Sequence, residues 1–200
     1  MAMKKLGYII IGMAVMIGCG KEPLEQEPPA ETPPPDMRYR ELNNRVIRYG
    51  APGLVLDADS DGSMDLYFGV QLIGDPIRKE DKRQWIVMSA YTSLLPVNPS
   101  EQMPVLAHGD RLPVEDFDGY GWYNASEIVL VERVEHASGA VRWQGNWKVA
   151  ARNYLPFQVQ RGNQRFNGWV ELTADTALQQ IVLHRVALSR EAERGIRVGW

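Results

Sequence analysis

The chain contains 200 residues, of which 44% are hydrophobic, and it carries a formal net charge of −3 and one cysteine. This length and apolar content suit a single domain with its own core, and the near-neutral charge does not favour a nucleic-acid partner. Because there is only one cysteine, no disulfide can form within the chain, and stability has to come from that core.

The first residues have the layout of a bacterial export signal. Lys4 and Lys5 precede a mostly apolar stretch over residues 6–17. This stretch has the length of a signal-peptide core and is short for a membrane-spanning helix, which takes about 20 apolar residues. The run Met16-Ile17-Gly18-Cys19 resembles the acylation site of bacterial lipoproteins, although Met16 replaces the leucine that is commonest there. The alternative is an ordinary secretory signal, or an anchor helix, with an incidental cysteine.

The lipoprotein resemblance implies a signal peptide over residues 1–18 and lipid attachment at Cys19, which anchors the mature protein to a membrane of the cell envelope. Several acyl chains hold a protein firmly where one is marginal, because each buried methylene contributes about 0.8 kcal/mol. Gly20 follows the cysteine, where an aspartate favours retention at the inner membrane. The expected location is therefore the outer membrane, facing the periplasm or the cell surface.

Residues 19–37, the lipidated cysteine and the segment after it, are predicted to form a tether. Residues 20–37 hold six of the thirteen prolines and five acidic residues against one lysine. Such a segment buries too little apolar surface to offset its ordering entropy, and proline stiffens it towards polyproline II. At about 3.1 Å per residue, it can hold a domain up to roughly 55 Å from the lipid surface.

Residues 38–200 are predicted to form one all-β domain. Their apolar residues recur mostly with period two or in short runs, which is typical of strands. Strands are predicted at residues 45–49, 53–56, 66–73, 84–91, 127–134, 141–151, 157–160, 165–172 and 181–188. A Gly162-Asn163 turn between two of them indicates a hairpin. The pattern favours an antiparallel β-sandwich or jelly roll, with short helical patterns only at residues 79–83 and 189–194.

The acidic run over residues 57–65 predicts a calcium loop. Ca²⁺ takes six to eight oxygen ligands, and alternating aspartates place several carboxylates on one side of a tight loop. The predicted ligands are Asp57, Asp59, Asp61, Asp65 and the carbonyl of Ser63. The run resembles the DxDxDGxxD calcium loops of dockerins and thrombospondin type 3 repeats.

The loop departs from an EF-hand because its twelfth position is Phe68 instead of glutamate. Its flanks also have strand patterns rather than helical ones. We therefore expect a calcium ion with a structural role between two strands. The alternative is an acidic turn without a metal, since aspartate and glycine are common in turns.

Two further segments carry a second resemblance. The aspartate run is followed by Tyr67-Phe68-Gly69-Val70, and residues 166–172 read Phe-Asn-Gly-Trp-Val-Glu-Leu. The combination is similar to secreted β-sandwich proteins of Gram-negative bacteria that have a DxDxDG loop and a late strand with a Gly-Trp pair. The resemblance covers two short segments; it implies the architecture and no activity.

Few residues suggest catalysis. His108, His136 and His184 lack the spacing of a metal pair, and His184 is expected to be solvated on a strand. The acidic residues Glu115, Asp116 and Asp118 precede an aromatic segment, as glycoside hydrolysis would require, but a polar turn has the same composition. We therefore predict no catalytic residue, and an activity is left open with a non-enzymatic role favoured.

Aromatic side chains suggest a binding surface. Flat rings beside amide groups can stack on sugars, although aromatic residues on strands more often belong to the core. The candidates are Tyr120, Trp122, Tyr123, Trp143 and Trp147, with Trp122 expected to be the most exposed tryptophan. The sequence thus predicts an envelope lipoprotein with a binding or structural module whose partner is a glycan or an envelope protein. The alternative is a glycan-binding or glycan-processing surface protein.

Overall fold

The computed structural model describes residues 34–124, 126–149 and 151–200, which belong to one compact unit, Pro34–Trp200. The predicted signal peptide, Cys19 and the tether up to residue 33 lie outside the described residues. Thirteen strands and no helix occur in the described part, which accordingly contains no helix able to cross a membrane. Met37, the last residue of the predicted tether, begins the first strand.

The strands follow one another along the chain with short connections, apart from a long segment around residues 98–120. They are β1 (Met37–Arg48), β2 (Leu54–Leu56), β3 (Leu66–Asp75), β4 (Glu80–Ser89), β5 (Ser93–Val97), β6 (Arg111–Leu112), β7 (Gly121–Asn124), β8 (Glu127–His136), β9 (Val141–Gln144), β10 (Asn153–Arg161), β11 (Gln164–Asp175), β12 (Gln180–Ser189) and β13 (Ile196–Arg197). All their pairings are antiparallel.

Two antiparallel sheets pack against each other, which confirms the predicted all-β sandwich. The six-stranded sheet has the order β1-β12-β11-β10-β5-β7, and the five-stranded sheet has the order β2-β3-β4-β8-β9. A small ribbon pairs β6 with β13. The predicted hairpin is confirmed, since Arg161 pairs with Gln164 across the two-residue turn and Gly162 has a φ of +61°.

The main core lies between the two sheets. It includes Phe68 and Trp85 from the five-stranded sheet and Phe157, Val170 and Leu172 from the six-stranded sheet, all with 1% exposure or less. Burying a side chain of this kind contributes about 1.5–3 kcal/mol relative to leaving it exposed. The Trp85 indole N–H donates a hydrogen bond to the Ile47 carbonyl 3.1 Å away, which links the sheets.

A second apolar cluster covers the outer face of the six-stranded sheet. Its buried members are Leu106, Leu112, Tyr154, Trp169, Ala187, Ile196 and Val198, which come from the sheet, from the long segment after β5 and from the chain end. The central strands of the six-stranded sheet are therefore buried on both faces. This explains why β10 and β11 are almost continuously buried instead of alternating between buried and exposed positions.

Three local predictions are wrong. Residues 80–83, expected to be briefly helical, lie in β4, because pairing with β3 and β8 outweighs a weak helical pattern. Residues 189–194 end β12 and then form a bend and a turn. The strand predicted over residues 141–151 ends at Gln144, after which Trp147 turns into the main core.

Candidate functional site

The 57–65 loop, between β2 and β3, brings three of its aspartates together. One carboxylate oxygen each of Asp57, Asp59 and Asp61 lie within 4.8 Å of one another. Asp57 is half-buried, Asp59 is buried and Asp61 is exposed, so the group faces solvent on one side. A cluster of three carboxylates at this separation can hold a metal ion.

Backbone hydrogen bonds inside the loop create this arrangement. The carboxylate of Asp57 accepts N–H groups from Ser60 at 2.6 Å, Asp61 at 3.2 Å and Gly62 at 3.0 Å. Burial alone would raise the pKa of Asp57, but these backbone N–H groups outweigh it and lower the pKa. Gly62 has a φ of +92°, a conformation that strains most other residues. The predicted need for glycine at this turn therefore agrees with the backbone.

Asp65 lies apart from the other three carboxylates. Its Oδ2 accepts the backbone N–H groups of Ala58 at 2.7 Å and Asp59 at 3.3 Å, and its Oδ1 accepts the Ser93 hydroxyl at 2.9 Å. Burial raises the pKa of Asp65 even though the Ala58 N–H and the Ser93 hydroxyl oppose the shift. Asp65 is buried and its carboxylate is not part of the Asp57, Asp59 and Asp61 cluster, so its predicted ligand role does not fit this geometry.

Ser63 contributes a backbone hydrogen bond to the cluster. Its backbone N–H donates to Asp61 Oδ1 at 2.7 Å, which orients one of the clustered carboxylates. Ser63 is exposed at the tip of the loop. Phe68, at the twelfth position, is buried in the main core, so no side chain of β3 at that position closes the site.

Three arginines outside the loop hold it in place. The Arg161 guanidinium, at the β10–β11 turn, lies 2.9 Å from Asp59 Oδ2. From β1, Arg38 donates to the Asp59 carbonyl and Arg40 donates to the Asp57 carbonyl. The sequence does not reveal these contacts, because they join segments that are far apart in the chain. They connect the loop to the six-stranded sheet.

Two of the predicted sugar-binding tryptophans belong to the interior. Trp147 is 1% exposed in the main core and cannot offer a ring face to a ligand, so its predicted binding role is wrong. Trp143 is half-buried and stacks against Trp85, with ring centroids 5.5 Å apart. Both lie where the five-stranded sheet meets the segment after β9, and packing accounts for their presence.

The other aromatic candidates lie around β7. Trp122 is half-buried against Phe117, 6.0 Å between ring centroids, and its indole N–H donates to the Glu115 carbonyl at 3.2 Å. Tyr120 is half-buried beside the same phenylalanine. The most exposed tryptophan is Trp200, at 62%, which corrects the expectation for Trp122.

Tyr123 is the one predicted aromatic candidate that is well exposed, at 57%. Tyr91, in the connection between β4 and β5, is 80% exposed and was not predicted. The Asn124 side-chain amide donates to the Tyr91 carbonyl at 3.2 Å, which brings the two segments together. An exposed tyrosine in a short connection carries no periodic pattern that would distinguish it in the sequence.

The acidic residues before β7 have structural partners. Glu115 accepts hydrogen bonds from Arg165, which lower its pKa, whereas a general acid requires a raised pKa. Asp116 accepts the Trp122 backbone N–H at 3.2 Å. Asp118 is exposed with a φ of +48° at a turn. These environments match the polar turn that the sequence left as an alternative to catalysis.

His184 is not the solvated strand residue that alternation predicts. It lies at a bulge in β12, where Nδ1 is 2.7 Å from Asn44 Oδ1 and Nε2 is 2.9 Å from Thr173 Oγ1. Burial lowers its pKa, and the nearby charge of Arg152 lowers it further. Both ring nitrogens are occupied by neighbours, so His184 serves to join three strands.

Comparison with known proteins does not assign the chain to a family. No family model matches it, and neither the curated proteins nor the solved structures give a significant match. The site is therefore interpreted from its own residues.

Proposed function

We propose that this protein is a lipid-anchored envelope module without enzymatic activity, in which a calcium ion bound by the 57–65 loop stabilises a β-sandwich. The observation that carries the calcium part is the convergence of Asp57, Asp59 and Asp61 within 4.8 Å. The anchor part rests on the sequence around Cys19. The partner that such a module binds is a glycan or another envelope protein.

The chemistry of the cluster favours calcium over other metals. Its ligand atoms are carboxylate oxygens, which hard cations prefer, and no cysteine or histidine takes part. The site is formed by a surface loop open to solvent, which suits the flexible, many-oxygen shell of Ca²⁺ better than the strict octahedron of Mg²⁺. Backbone carbonyls of the loop and water supply the remaining ligands in this proposal.

The charge balance of the loop also supports a bound cation. Among the described residues, only Arg161 forms an ion pair with the three clustered carboxylates, and it contacts Asp59 alone. Two negative charges are left without a cationic partner at short range. Like charges this close repel each other, so a divalent cation would relieve the repulsion and hold the loop against its neighbours.

The loop is well situated to transmit that stabilisation. Asp65 fixes its end to Ser93 of β5, Arg161 fixes Asp59 to the β10–β11 turn, and Arg40 fixes Asp57 to β1. These three contacts all reach the six-stranded sheet, whereas β2 and β3 belong to the five-stranded sheet. Calcium binding would therefore stabilise the junction between the two sheets.

Calcium binding is tested by titrating the full-length chain and following the backbone amide NMR signals of residues 57–65. We expect saturation with a Kd of about 0.1–1 mM, the range of extracellular calcium modules. The double variant Asp57→Asn/Asp61→Asn should weaken binding about tenfold or more, because two of the three anionic ligands lose their charge. Asp118→Asn, the same change in another exposed loop, is the matched control. Unchanged spectra at 10 mM calcium, roughly ten times the weakest expected Kd, would refute the site.

The anchor is tested separately from the calcium site. In bacteria expressing the full-length protein, labelled fatty acid should be incorporated and the protein should sediment with the membranes. Cys19→Ala should abolish the label and release the protein from the membrane fraction, because the cysteine carries all the acyl chains. A Cys19→Ala protein that stays labelled and membrane-bound would contradict the lipoprotein assignment.

Glycan binding is the second candidate function, and the exposed rings of Tyr91 and Tyr123 favour it. Exposed aromatic rings beside an amide, here Asn124, are suited to stacking on sugar rings and to hydrogen-bonding their hydroxyls. On a glycan array, Tyr91→Ala and Tyr123→Ala should each lose the signal of the parent protein. Trp200→Ala, which removes an exposed ring elsewhere, should keep it. An array without any binding would leave this candidate without support and would not affect the calcium site.

A further inference from the structure

Two arginines face each other at the end of the sandwich remote from the aspartate loop. Arg83 on β4 pairs in register with Arg133 on β8, and Leu72 on β3 pairs with Arg83 from the other side. Leu72 follows Asp65 by seven residues of extended chain, so the two regions are roughly 20 Å apart. The arginine pair is therefore separate from the proposed calcium loop.

The arginines point in the same direction as the core residues of the five-stranded sheet. Trp85, two residues after Arg83, is buried and bonded to the Ile47 carbonyl of β1. Arg83 itself reaches residues just outside the strands of the six-stranded sheet, namely Tyr49 after β1 and Gln179 before β12. The five-stranded sheet continues beyond this point to Glu80, so the arginines lie where the space between the sheets opens to solvent.

Arg83 is half-buried and forms no direct ion pair. No carboxylate of the described residues lies within 4.0 Å of it. Its contacts are neutral: Nη1 donates to Gln179 Oε1 at 2.7 Å, and the guanidinium lies 4.7 Å from the centre of the Tyr49 ring. Its Nε is buried without a hydrogen-bond partner. A charged group in this position is unfavourable unless an anion approaches it.

The acidic residues near Arg83 do not balance the positive charges of the two arginines. Glu135, the next residue on the same face of β8, forms an ion pair with Arg133 at 2.5 Å and also interacts electrostatically with Arg83, so one carboxylate serves two arginines. Asp81, next to Arg83 on the same face of β4, is exposed and forms no ion pair. Like charges directly opposite each other destabilise a sheet, so the Arg83–Arg133 pair costs stability unless a ligand uses it.

We propose that Arg83 and Arg133 form a binding site for an oxyanion, either a carboxylate or a phosphate group, carried by a small ligand. The planar guanidinium offers parallel N–H donors that match both groups. Tyr49 is 51% exposed and Leu72 is 54% exposed beside the arginines, which suits a ligand with a ring or an apolar portion next to its anionic group. This site does not depend on the calcium loop or on the lipid anchor.

The test follows the side-chain Nε–Hε NMR signals of Arg83 and Arg133 in the full-length chain at low ionic strength. Inorganic phosphate and glucuronate are titrated separately, and glucose serves as the uncharged counterpart of glucuronate. We expect saturable shifts of both signals with at least one anion. A response to phosphate alone assigns the site to phosphate groups, and a response to glucuronate alone assigns it to carboxylates. An equal response to glucose, or no saturable shift with either anion, overturns the proposal.

Variants separate binding from a merely structural role of Arg83. Arg83→Gln should weaken the binding of the effective anion about tenfold or more, since it removes one of the two guanidinium groups of the site. Lys82→Gln, which removes a charge from the other face of the same strand, should change the affinity by less than about twofold. Unaltered affinity of a folded Arg83→Gln protein would contradict the site. If that variant does not fold, the titration of the parent protein still decides.

Discussion

At the residue scale, Asp65 shows how a carboxylate can belong to an acidic run and still have a different role from its neighbours. It is 3% exposed and accepts two backbone N–H groups and one hydroxyl. The backbone of Asp65 adds two hydrogen bonds: its N–H donates to the Leu56 carbonyl, and its carbonyl accepts the Ala90 N–H. Asp65 therefore closes the loop, whereas Asp57, Asp59 and Asp61 form the cluster that could hold a metal.

This division of roles predicts different effects for two substitutions of Asp65. Asp65→Ala should lower the free energy of unfolding by about 2–4 kcal/mol, because it leaves the buried N–H groups of Ala58 and Asp59 without an acceptor. Asp65→Asn keeps an acceptor and should leave the calcium affinity within about twofold of the parent value, because the carboxylate of Asp65 lies outside the cluster of three. Chemical denaturation and calcium titration measure the two effects. A large loss of calcium affinity in Asp65→Asn would restore Asp65 to the ligand set.

The raised pKa of Asp65 also predicts a pH dependence. The pKa of Asp65 is higher in the folded protein than in the unfolded chain, so the folded state binds the proton more tightly. Above the native pKa the buried carboxylate is fully charged, and the folded state then bears the whole cost of burying that charge. The stability of Asp65→Asn relative to the parent should therefore be highest near pH 7. This advantage should shrink as the pH falls through the native pKa of Asp65 towards about 4. Denaturation at a series of pH values in chelator measures it, and a difference that grows on acidification would contradict the argument.

At the element scale, a buried amide pair fixes the long segment after β5 and the chain end onto the six-stranded sheet. Gln158 on β10 and Asn167 on β11 are cross-strand partners joined by a hydrogen bond of 2.8 Å. Gln158 also donates to the Val114 carbonyl. Asn167 donates to the carbonyls of Leu112 and Arg194. Side-chain amides of the sheet thus bind backbone carbonyls of the two segments that cover it.

Removing this amide at one position should loosen only the elements that it holds. Asn167→Ala leaves the buried Leu112 carbonyl without this donor, so we expect a loss of about 1–3 kcal/mol in the free energy of unfolding. Hydrogen exchange should accelerate at β6 and β13 while β3, β4 and β8 keep their protection. Gln164→Ala, an exposed amide on the same strand, should have little effect. Uniform loss of protection across both sheets would show that the pair supports the whole fold.

The sequence predicts the elements that depend on local patterns and misses those that depend on distant contacts. The β10–β11 hairpin is predictable because its turn signal and its alternation are both local. The first half of β1 is not, because Arg38 and Arg40 give no apolar alternation and their partners are carbonyls of the aspartate loop. The second apolar cluster likewise joins the 106–117 segment to the chain end, which no periodicity connects.

At the scale of the whole molecule, the six-stranded sheet is the central layer, with the five-stranded sheet on one face and the 98–120 segment and the chain end on the other. The aspartate loop fastens one end of this assembly through Asp65 and Arg161. The opposite end carries the arginine pair Arg83 and Arg133. The proposed calcium site and the proposed anion site thus lie at opposite ends of one sandwich, which allows each to be altered without the other.

Thermal unfolding of the full-length chain in calcium and in chelator tests the central claim most directly. With a Kd of about 0.1–1 mM, 10 mM calcium should raise the midpoint by about 3–10 °C, because binding to the folded state alone adds roughly 1.4–2.7 kcal/mol. Magnesium should raise it less, and Asp57→Asn/Asp61→Asn should show a clearly smaller response to calcium than the parent protein. Equal midpoints in calcium and chelator for the parent protein would contradict a calcium-stabilised sandwich.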